Sequence, residues 1–155
     1  MERSVLFVCL GNICRSPLAE AALQREAERL GLSIEIDSAG TGDWHVGCPP
    51  DPRAQAVAAR SGVDIAQLRA RQVTVEDFRR FGRIVALDAH NLEDLRAMAP
   101  AEGTAELSML LDLVPGREGE AVADPYHGGD AQFDETWRDV CQGTRALAEH
   151  LAQDA

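Results

Sequence analysis

The feature that most constrains the fold is a short, unbroken apolar run near the start of the chain, Val5-Leu6-Phe7-Val8. A strand with one face in water would alternate apolar and polar residues, whereas this run has no polar position. It is also much too short for a membrane span or for the core of a signal peptide. The run therefore predicts a strand that is buried on both faces, as in a parallel sheet covered by helices.

Predicted strands and helices alternate along the rest of the chain. Strands are predicted at residues 34–36 and 83–87, with a weaker one at residues 106–110, and the first helix is predicted at residues 16–31. The last helix has one apolar face, made by Phe133, Trp137, Cys141, Thr144, Leu147 and Leu151. This order predicts a single α/β domain over residues 1–155, with a doubly wound parallel sheet flanked by helices on both faces.

The charge of the chain is strongly negative, with a formal net charge of -11 and a pI of about 4.7. That charge argues against nucleic acid or an anionic membrane as a partner. All 15 basic residues are arginines, and a chain this acidic needs a strong local positive site if it is to bind an anion. No segment resembles a signal peptide or a membrane span. We therefore expect a cytoplasmic protein whose 4 cysteines are free thiols.

The segment from Cys9 to Pro17, Cys-Leu-Gly-Asn-Ile-Cys-Arg-Ser-Pro, joins the buried strand to the start of a helix. In an open parallel sheet, ligands bind at the carboxyl ends of the strands. Backbone N–H groups that curl at such a turn form a concave anion site, which the helix dipole reinforces. Gly11 and Asn12 tolerate the positive φ that a tight turn requires. The segment therefore predicts an anion-binding cradle.

Three side chains of this segment carry the predicted chemistry. Cys9 lies at the foot of the cradle, where N–H dipoles and a nearby arginine favour a nucleophilic thiolate. Arg15 closes the ring and is suited to grip two phosphate oxygens at once, which lysine is not. Ser16 is placed to donate a hydrogen bond to the sulfur. A cysteine and an arginine at this spacing carry little information alone, but in a strand-to-helix turn they indicate phosphate chemistry.

The stretch Cys9 to Pro17 resembles, residue for residue, the phosphate-binding loop of the low-molecular-weight protein tyrosine phosphatases. The resemblance continues in the family's order through Asp37-Ser38-Ala39-Gly40, Trp44, Cys48-Pro49-Pro50, Ala70-Arg71-Gln72, Asp88, Asn91-Leu92 and Asp124-Pro125-Tyr126. It implies a four-stranded parallel sheet flanked by helices, with no metal and no cofactor. It also implies a phosphate-binding loop made of Leu10, Gly11, Asn12, Ile13, Cys14 and Arg15.

The resemblance also implies the reaction and assigns its residues. Asp124, the aspartate of the Asp-Pro-Tyr stretch, matches the family's general acid, and Cys9 matches the nucleophile. The expected reaction is the hydrolysis of phosphotyrosine and other aryl phosphates through a cysteinyl-phosphate. A carboxyl group on a facing loop suits the need of the leaving phenolate for a proton. The expected partner is a phosphotyrosine protein, inorganic phosphate is the expected product and inhibitor, and the enzyme is expected to be a monomer.

Four more positions are matched by the resemblance. Trp44 and Tyr126 correspond to two aromatic residues that flank the entering phenyl ring. Asn12 and Ser38 correspond to residues that support the loop through hydrogen bonds, together with the hydroxyl group of Ser16.

Two positions depart from the family's pattern. Eukaryotic members commonly carry histidine at the position aligned with Arg69, and many members carry a second tyrosine at the position of His127. Both departures bear on substrate preference rather than on the reaction.

Single sequence features distinguish the tyrosine phosphatase from three alternative functions. A thiol-dependent arsenate reductase needs additional cysteines, which the stretch 83–98 lacks. A phosphoarginine phosphatase tends to carry threonine where this chain has Ile13. A non-enzymatic alternative is a zinc-binding structural module that uses Cys9, Cys14, His45 and Cys48. The repulsion between Arg15 and a dication speaks against it, so the sequence favours the tyrosine phosphatase.

The cysteines other than Cys9 have separate predicted roles. Cys14 is the candidate redox partner of Cys9, because a loop curled round one phosphate can bring two thiols within disulfide reach. Cys141 is predicted to pack in the core, on the apolar face of the last helix. Cys48 is predicted to be structural or incidental.

Overall fold

The sheet lies at the centre of a computed structural model that describes residues 3–153. Within those residues the sheet has four strands, β1 Arg3–Cys9, β2 Ile34–Gly40, β3 Arg83–Ala86 and β4 Glu106–Met109. Their order is β2-β1-β3-β4, and every neighbouring pair is parallel. The predicted doubly wound α/β fold is confirmed, and the apolar run Val5 to Val8 forms one of its two central strands.

The helices are α1 Arg15–Leu30, α2 Pro52–Arg60, α3 Asp77–Arg80, α4 Ala89–Met98 and α5 Asp130–Gln153, with a 3₁₀ turn at Leu110–Leu113. Helices α1 to α4 lie in the connections between the parallel strands, and α5 follows the last strand. Gly31 ends α1 in the left-handed conformation with φ 68°, as expected of a C-terminal glycine. The side chain of Asp51 accepts a hydrogen bond from the backbone N–H of Arg53 and so caps the start of α2.

Alternate residues of β1 face two separate apolar cores. Val5 and Phe7 pack in the core that the sheet forms with α1, α2 and α5. Leu6 and Val8 pack in the core on the opposite face, which α3 and α4 cover. All four side chains are fully buried, with 0% exposure. This burial on both faces explains why the run has no polar position.

The helix α5 buries the predicted apolar face, with one correction. Phe133, Trp137, Leu147 and other predicted positions are buried against α1 and the sheet. Cys141 is only partly buried, and an Arg25 Nη2 group donates to its sulfur at 3.5 Å. The neighbouring Val140 is the residue that is buried in the core at this turn of α5, so Cys141 lies at the edge of the apolar face.

The carboxyl ends of β1 and β3 lie side by side, because the two strands are parallel neighbours. Cys9 is the last residue of β1, and Asp88 follows shortly after the end of β3. The topology therefore brings the segment after β1 close to the start of α4. Among residues 3–153, no helix combines the length and the apolar character needed to cross a bilayer.

Candidate active site

The turn between β1 and α1, here called the phosphate-binding loop (residues 9–15), forms the tight curl that the sequence predicts. Asn12 has φ 57° and is the only non-glycine residue with positive φ among residues 3–153. The expectation that Gly11 also needs a positive φ is wrong. A Cβ at Gly11 would instead lie 3.0 Å from the Cδ2 atom of His45, so the imidazole ring would have to shift by a few tenths of an ångström.

The thiol of Cys9 lies at the bottom of this loop and is almost completely buried. The backbone N–H of Asn12 donates to its sulfur at 3.3 Å, and the hydroxyl oxygen of Ser16 lies 3.0 Å from it. Both are hydrogen-bond donors suited to a negative sulfur. The sulfur of Cys9 therefore lies next to a backbone N–H group and next to the hydroxyl group of Ser16, which the sequence predicts to lie there.

A chain of polar side chains fixes the hydroxyl group of Ser16. The Nδ2 group of Asn12 donates to Ser16 Oγ at 2.7 Å and to Ser38 Oγ at 3.0 Å. Because Ser16 Oγ accepts this bond, its own hydrogen is free to point at the sulfur. The other acceptor within reach, the carbonyl of Ala39, is farther away at 3.5 Å. The structure thus joins Asn12, Ser16 and Ser38 in one network behind Cys9.

The far end of this network is a carboxyl group that the sequence did not single out. Ser38 Oγ donates to Oε1 of Glu20 at 2.7 Å. Burial raises the pKa of Glu20 to about 7. The nearby charge of Asp37 also raises this pKa, whereas the hydrogen bond from Ser38 lowers it. A carboxyl that titrates near neutral pH therefore lies behind the phosphate-binding loop.

A second support comes from the segment before α3. The backbone N–H of Arg71 donates to Oδ1 of Asn12 at 3.0 Å. The guanidinium of Arg71 is in turn held by Asp37 and Asp77, at 3.0 Å each. These contacts give a structural reason why the family resemblance includes the stretches around Asp37 and Arg71 as well as the loop.

The side chain of Arg15 is buried, with 3% exposure, and its direction is fixed by two acceptors. Its Nη1 group donates to Oδ2 of Asp88 at 2.7 Å and to the carbonyl of Val122 at 3.0 Å. Burial disfavours the charged form, but the charge of Cys9 and the hydrogen bond to Asp88 outweigh it and raise the pKa of Arg15. The guanidinium therefore stays charged, and Nε and Nη2 are left for a bidentate grip on phosphate.

Asp124 approaches from the opposite side, on the segment of residues 124–129, here called the acid loop. Its Oδ2 atom lies 3.6 Å from Nη2 of Arg15, and its Oδ1 atom accepts a hydrogen bond from the backbone N–H of Tyr126 at 3.1 Å. The side chain is 44% exposed. The carboxyl group thus faces the mouth of the phosphate-binding loop while remaining open to water and substrate.

A single pocket of about 220 Å³ contains Cys9, Arg15 and Asp124 together. Trp44 and Tyr126 stand at its rim with 69% and 41% exposure. Its remaining lining residues are Leu10, Gly11, Ile13, Cys14, His45 and His127. The predicted nucleophile, phosphate-binding residues, acid and aromatic pair are therefore brought to one place.

The other cysteines differ in their relation to this pocket: Cys14 lines it, and Cys48 and Cys141 do not. Cys14 is buried, and burial is the main reason that the pKa of its thiol is raised, with the charges of Asp51 and Cys9 acting in the same direction. Cys48 is exposed. Within residues 3–153, no three His, Cys, Asp or Glu side chains are grouped so as to hold a metal ion. The four residues of the zinc-module alternative therefore do not form such a group.

Comparison with known proteins agrees with this geometry. The profile of the family described as low molecular weight phosphotyrosine protein phosphatase matches residues 4–155. The low molecular weight protein-tyrosine-phosphatase YfkJ of Bacillus subtilis (strain 168) is 43% identical over 150 residues, which cover 96% of this chain and 92% of the relative. The crystal structure of YfkJ from Bacillus subtilis matches with a TM-score of 0.92 at 40% identity and covers 99% of this chain and 97% of that chain. The crystal structure of DARP, a drosophila arginine phosphatase, matches with a TM-score of 0.90 at 31% identity and covers 97% of this chain and 98% of that chain.

The chain belongs to the low-molecular-weight phosphotyrosine protein phosphatase family. Membership makes it a protein phosphatase, which is a hydrolase whose substrates are phosphoproteins. The predicted family and enzyme class are confirmed, while the roles of individual residues stay predictions.

Proposed function

We propose that the protein hydrolyses phosphotyrosine through a cysteinyl-phosphate, with Cys9 as nucleophile, Arg15 as phosphate clamp and Asp124 as general acid. The observation that carries this proposal is the convergence of the three side chains on one pocket of about 220 Å³. The thiol lies beneath an anion site made by backbone N–H groups, the clamp lies beside it, and the carboxyl group faces both.

In the first step, the Cys9 thiolate attacks phosphorus and the bond from phosphorus to the phenolic oxygen breaks. Asp124 transfers its proton to the leaving oxygen, so that a neutral phenol departs. The phosphoryl group is then bonded to sulfur. The loop N–H groups and the guanidinium of Arg15 stabilise the charge on its equatorial oxygens.

In the second step, water attacks the phosphorus of the cysteinyl-phosphate and the bond from phosphorus to sulfur breaks. Asp124, now ionised, takes a proton from the attacking water and is returned to its acid form. Inorganic phosphate leaves, and the Cys9 thiolate is regenerated. The hydroxyl group of Ser16, 3.0 Å from the sulfur, stabilises the thiolate as leaving group in this step.

The pocket rim supports a preference for an aromatic substrate. Trp44 and Tyr126 present exposed ring faces at the entrance, and an offset ring pair contributes about 0.5–1.5 kcal/mol beyond its buried area. A phenyl phosphate bound in this pocket has its ring in the same lining as these two side chains. The shorter phosphoserine lacks that ring and gains none of this contact.

Phosphoarginine is the competing substrate that a specific observation raises, because a drosophila arginine phosphatase shares the fold with a TM-score of 0.90. In this chain, Ile13 lines the pocket, and its side chain has only apolar atoms. A guanidinium group that entered beside it would lose hydrogen bonds to water without replacement. Ile13 therefore supports phosphotyrosine over phosphoarginine.

Parallel assays on phosphotyrosine, phosphoserine and phosphoarginine peptides of one sequence test this function. We expect phosphotyrosine to be cleaved fastest by wild type, and Cys9→Ser to cleave none of the three. Trp44→Ala should narrow the gap between phosphotyrosine and phosphoserine by roughly 2- to 10-fold, whereas Val46→Ala, a change at an exposed position of the same loop, should leave it unchanged. Faster cleavage of phosphoserine or phosphoarginine by wild type would overturn the tyrosine assignment.

We also propose a cellular location, a mode of product inhibition and an oligomeric state for the enzyme. A reducing compartment keeps a catalytic thiol and three further free cysteines reduced, which supports a cytoplasmic location. Phosphate, as product, occupies the same cradle as substrate and should inhibit competitively. A monomer is proposed because one chain alone supplies the nucleophile, the clamp and the acid that the reaction needs.

A further inference from the structure

The acid loop has little secondary structure to hold it. It follows the 3₁₀ turn and ends where α5 begins, and its internal bonds are local ones, from Gly128 N–H to the carbonyl of Pro125 and from Tyr126 N–H to Asp124. Besides the bond from Tyr126 N–H, Asp124 makes a 3.6 Å ion pair across the pocket, with Arg15. A general acid must nevertheless be held within hydrogen-bond reach of the leaving oxygen. Something outside the loop has to set its position.

The side chain of Arg53, near the start of α2, makes this connection. Its Nη2 group donates to the carbonyl of Tyr126 at 2.9 Å, and its Nη1 group donates to the carbonyl of Gly128 at 2.9 Å. The guanidinium also lies over the ring of Phe133 at 4.6 Å and over the ring of Tyr126 at 5.7 Å. One planar group therefore holds the backbone of the acid loop at two points.

The carboxylate of Asp51 in turn fixes the side chain of Arg53. The carboxylate of Asp51 accepts from Nε of Arg53 at 3.0 Å and from Nη2 at 2.9 Å. The side-chain hydrogen bond from Arg53 is the main reason that the pKa of Asp51 lies below its usual range, so this carboxylate stays charged at neutral pH. A bidentate pair of this kind fixes the plane of the guanidinium as well as its charge.

Asp51 also connects this pair to the phosphate-binding loop. Its backbone N–H donates to the carbonyl of Ile13 at 2.8 Å. A continuous set of hydrogen bonds thus runs from the phosphate-binding loop, through Asp51 and Arg53, to the carbonyls of the acid loop. The distance between Cys9 and Asp124 therefore depends on this hydrogen-bonded path as well as on the ion pair between Asp124 and Arg15.

We propose that Arg53 is a positioning residue for the general acid: it holds the acid loop in register with the phosphate-binding loop, so that the Asp124 carboxyl meets the leaving oxygen. This inference rests on the proposed function, because it assigns Arg53 a role only through Asp124. Arg53 touches neither the phosphate site nor the sulfur. It should therefore affect proton transfer and leave phosphate binding unchanged.

The test compares Arg53→Gln and Arg53→Lys with wild type on a series of aryl phosphates whose phenols differ in acidity. We expect Arg53→Gln to lower kcat/KM, which reports the phosphorylation step, by roughly 10- to 10²-fold for poorly leaving phenols, with the loss disappearing for very acidic phenols. Arg53→Lys, which keeps the charge but has no fork, should show a smaller loss of the same pattern. The inhibition constant of inorganic phosphate should stay within about twofold of wild type, since the cradle is intact. Arg60→Gln is the matched control, because Arg60 lies on the same helix and pairs with Asp134 on α5, away from the acid loop.

A second comparison separates this role from a purely structural one. In the Asp124→Ala background, Arg53→Gln should cause no further loss, because the group that it positions is absent. Equal losses across all leaving groups, weaker phosphate binding, or additive losses with Asp124→Ala would overturn the proposal. If Arg53→Gln does not fold, as judged by its thermal transition, the same comparisons on Arg53→Lys decide. Failure of the proposed function looks different, because Asp124→Ala alone would then lack any dependence on the leaving group.

Discussion

The two loops that form the pocket are built in opposite ways. Residues 9–15 are locked in a buried network in which Cys9, Asn12 and Arg15 are each 3% exposed. The acid loop is open, with Asp124 at 44% and Tyr126 at 41% exposure, and is held by hydrogen bonds to its backbone. The first loop is preorganised to bind a charged phosphoryl group, while the second must admit a substrate and then deliver a proton. Damage to the first should affect all substrates alike, and damage to the second should depend on the leaving group.

The largest effect is expected from Arg15→Lys in the buried loop. A lysine keeps the charge but cannot donate to Asp88 and Val122 while gripping two phosphate oxygens. Activity should fall by roughly 10²- to 10³-fold, the cost of losing one preorganised transition-state donor. Steady-state kinetics should show the same loss for good and poor leaving groups. Arg117→Lys, in a surface ion-pair network with Asp139, serves as control and should keep full activity. Full activity in Arg15→Lys would show that charge alone suffices.

Asp124→Ala tests the open loop. With poorly leaving phenols, kcat/KM should fall by roughly 10²- to 10⁴-fold, because the phenolate departs without a proton. The loss should shrink as the phenol becomes more acidic, which a plot of log kcat/KM against the phenol pKa measures. Asp134→Ala, at an exposed position of α5, is the control and should match wild type. A loss that is equal for all phenols would remove Asp124 from the acid role and erase the contrast between the loops.

A smaller effect concerns the two thiols of the buried loop. Peroxide should oxidise the Cys9 thiolate to a sulfenic acid, and Cys14 should displace water from it to form a disulfide that a thiol reductant reverses. Because burial raises the pKa of the Cys14 thiol, its attack should speed up with rising pH. Cys14→Ser should regain a few-fold less activity after reduction than wild type or Cys48→Ser, and bound phosphate should slow inactivation. Mass spectrometry that finds no Cys9–Cys14 linkage would refute this redox role.

The smallest effect is one on stability, at the far end of the buried network. Glu20 has a pKa near 4.5 in the unfolded chain and about 7 in the fold, so folding opposes its ionisation. Below its unfolded pKa the carboxyl is neutral in both states and costs nothing. Between the two values the penalty grows, and above pH 7 it is complete, at most about 3 kcal/mol. Glu20→Gln keeps an acceptor for Ser38 and removes the charge.

Urea unfolding at about pH 5 and about pH 8 measures this effect. The free energy of unfolding of Glu20→Gln should exceed that of wild type by about 1–3 kcal/mol more at the higher pH. Glu28→Gln, on the exposed side of the same helix, should show no such change. An equal difference at both pH values would mean that Glu20 does not ionise within this range.

The contrast between the loops also explains what the sequence predicts and what it does not. Cys9, Arg15 and Ser16 lie within one short turn, so their relation follows from local spacing. The sequence indicates Asp88 only as part of the resemblance. Its position just after β3 is nevertheless a signal for a partner of Arg15, because neighbouring parallel strands end at the same edge of the sheet. Arg53 and Glu20 gave no such signal, because their roles depend on tertiary contacts with segments distant in sequence.

The most direct measurement is to trap the phosphoryl group on the enzyme. An aryl phosphate with a very acidic phenol should phosphorylate Asp124→Ala normally, while the missing base slows hydrolysis of the intermediate. Rapid quenching, digestion and mass spectrometry should then place one phosphate on the peptide of residues 9–15, at Cys9, and find none in Cys9→Ser. Turnover of this substrate with no trapped phosphate, or with phosphate on another residue, would contradict the division of work between the two loops.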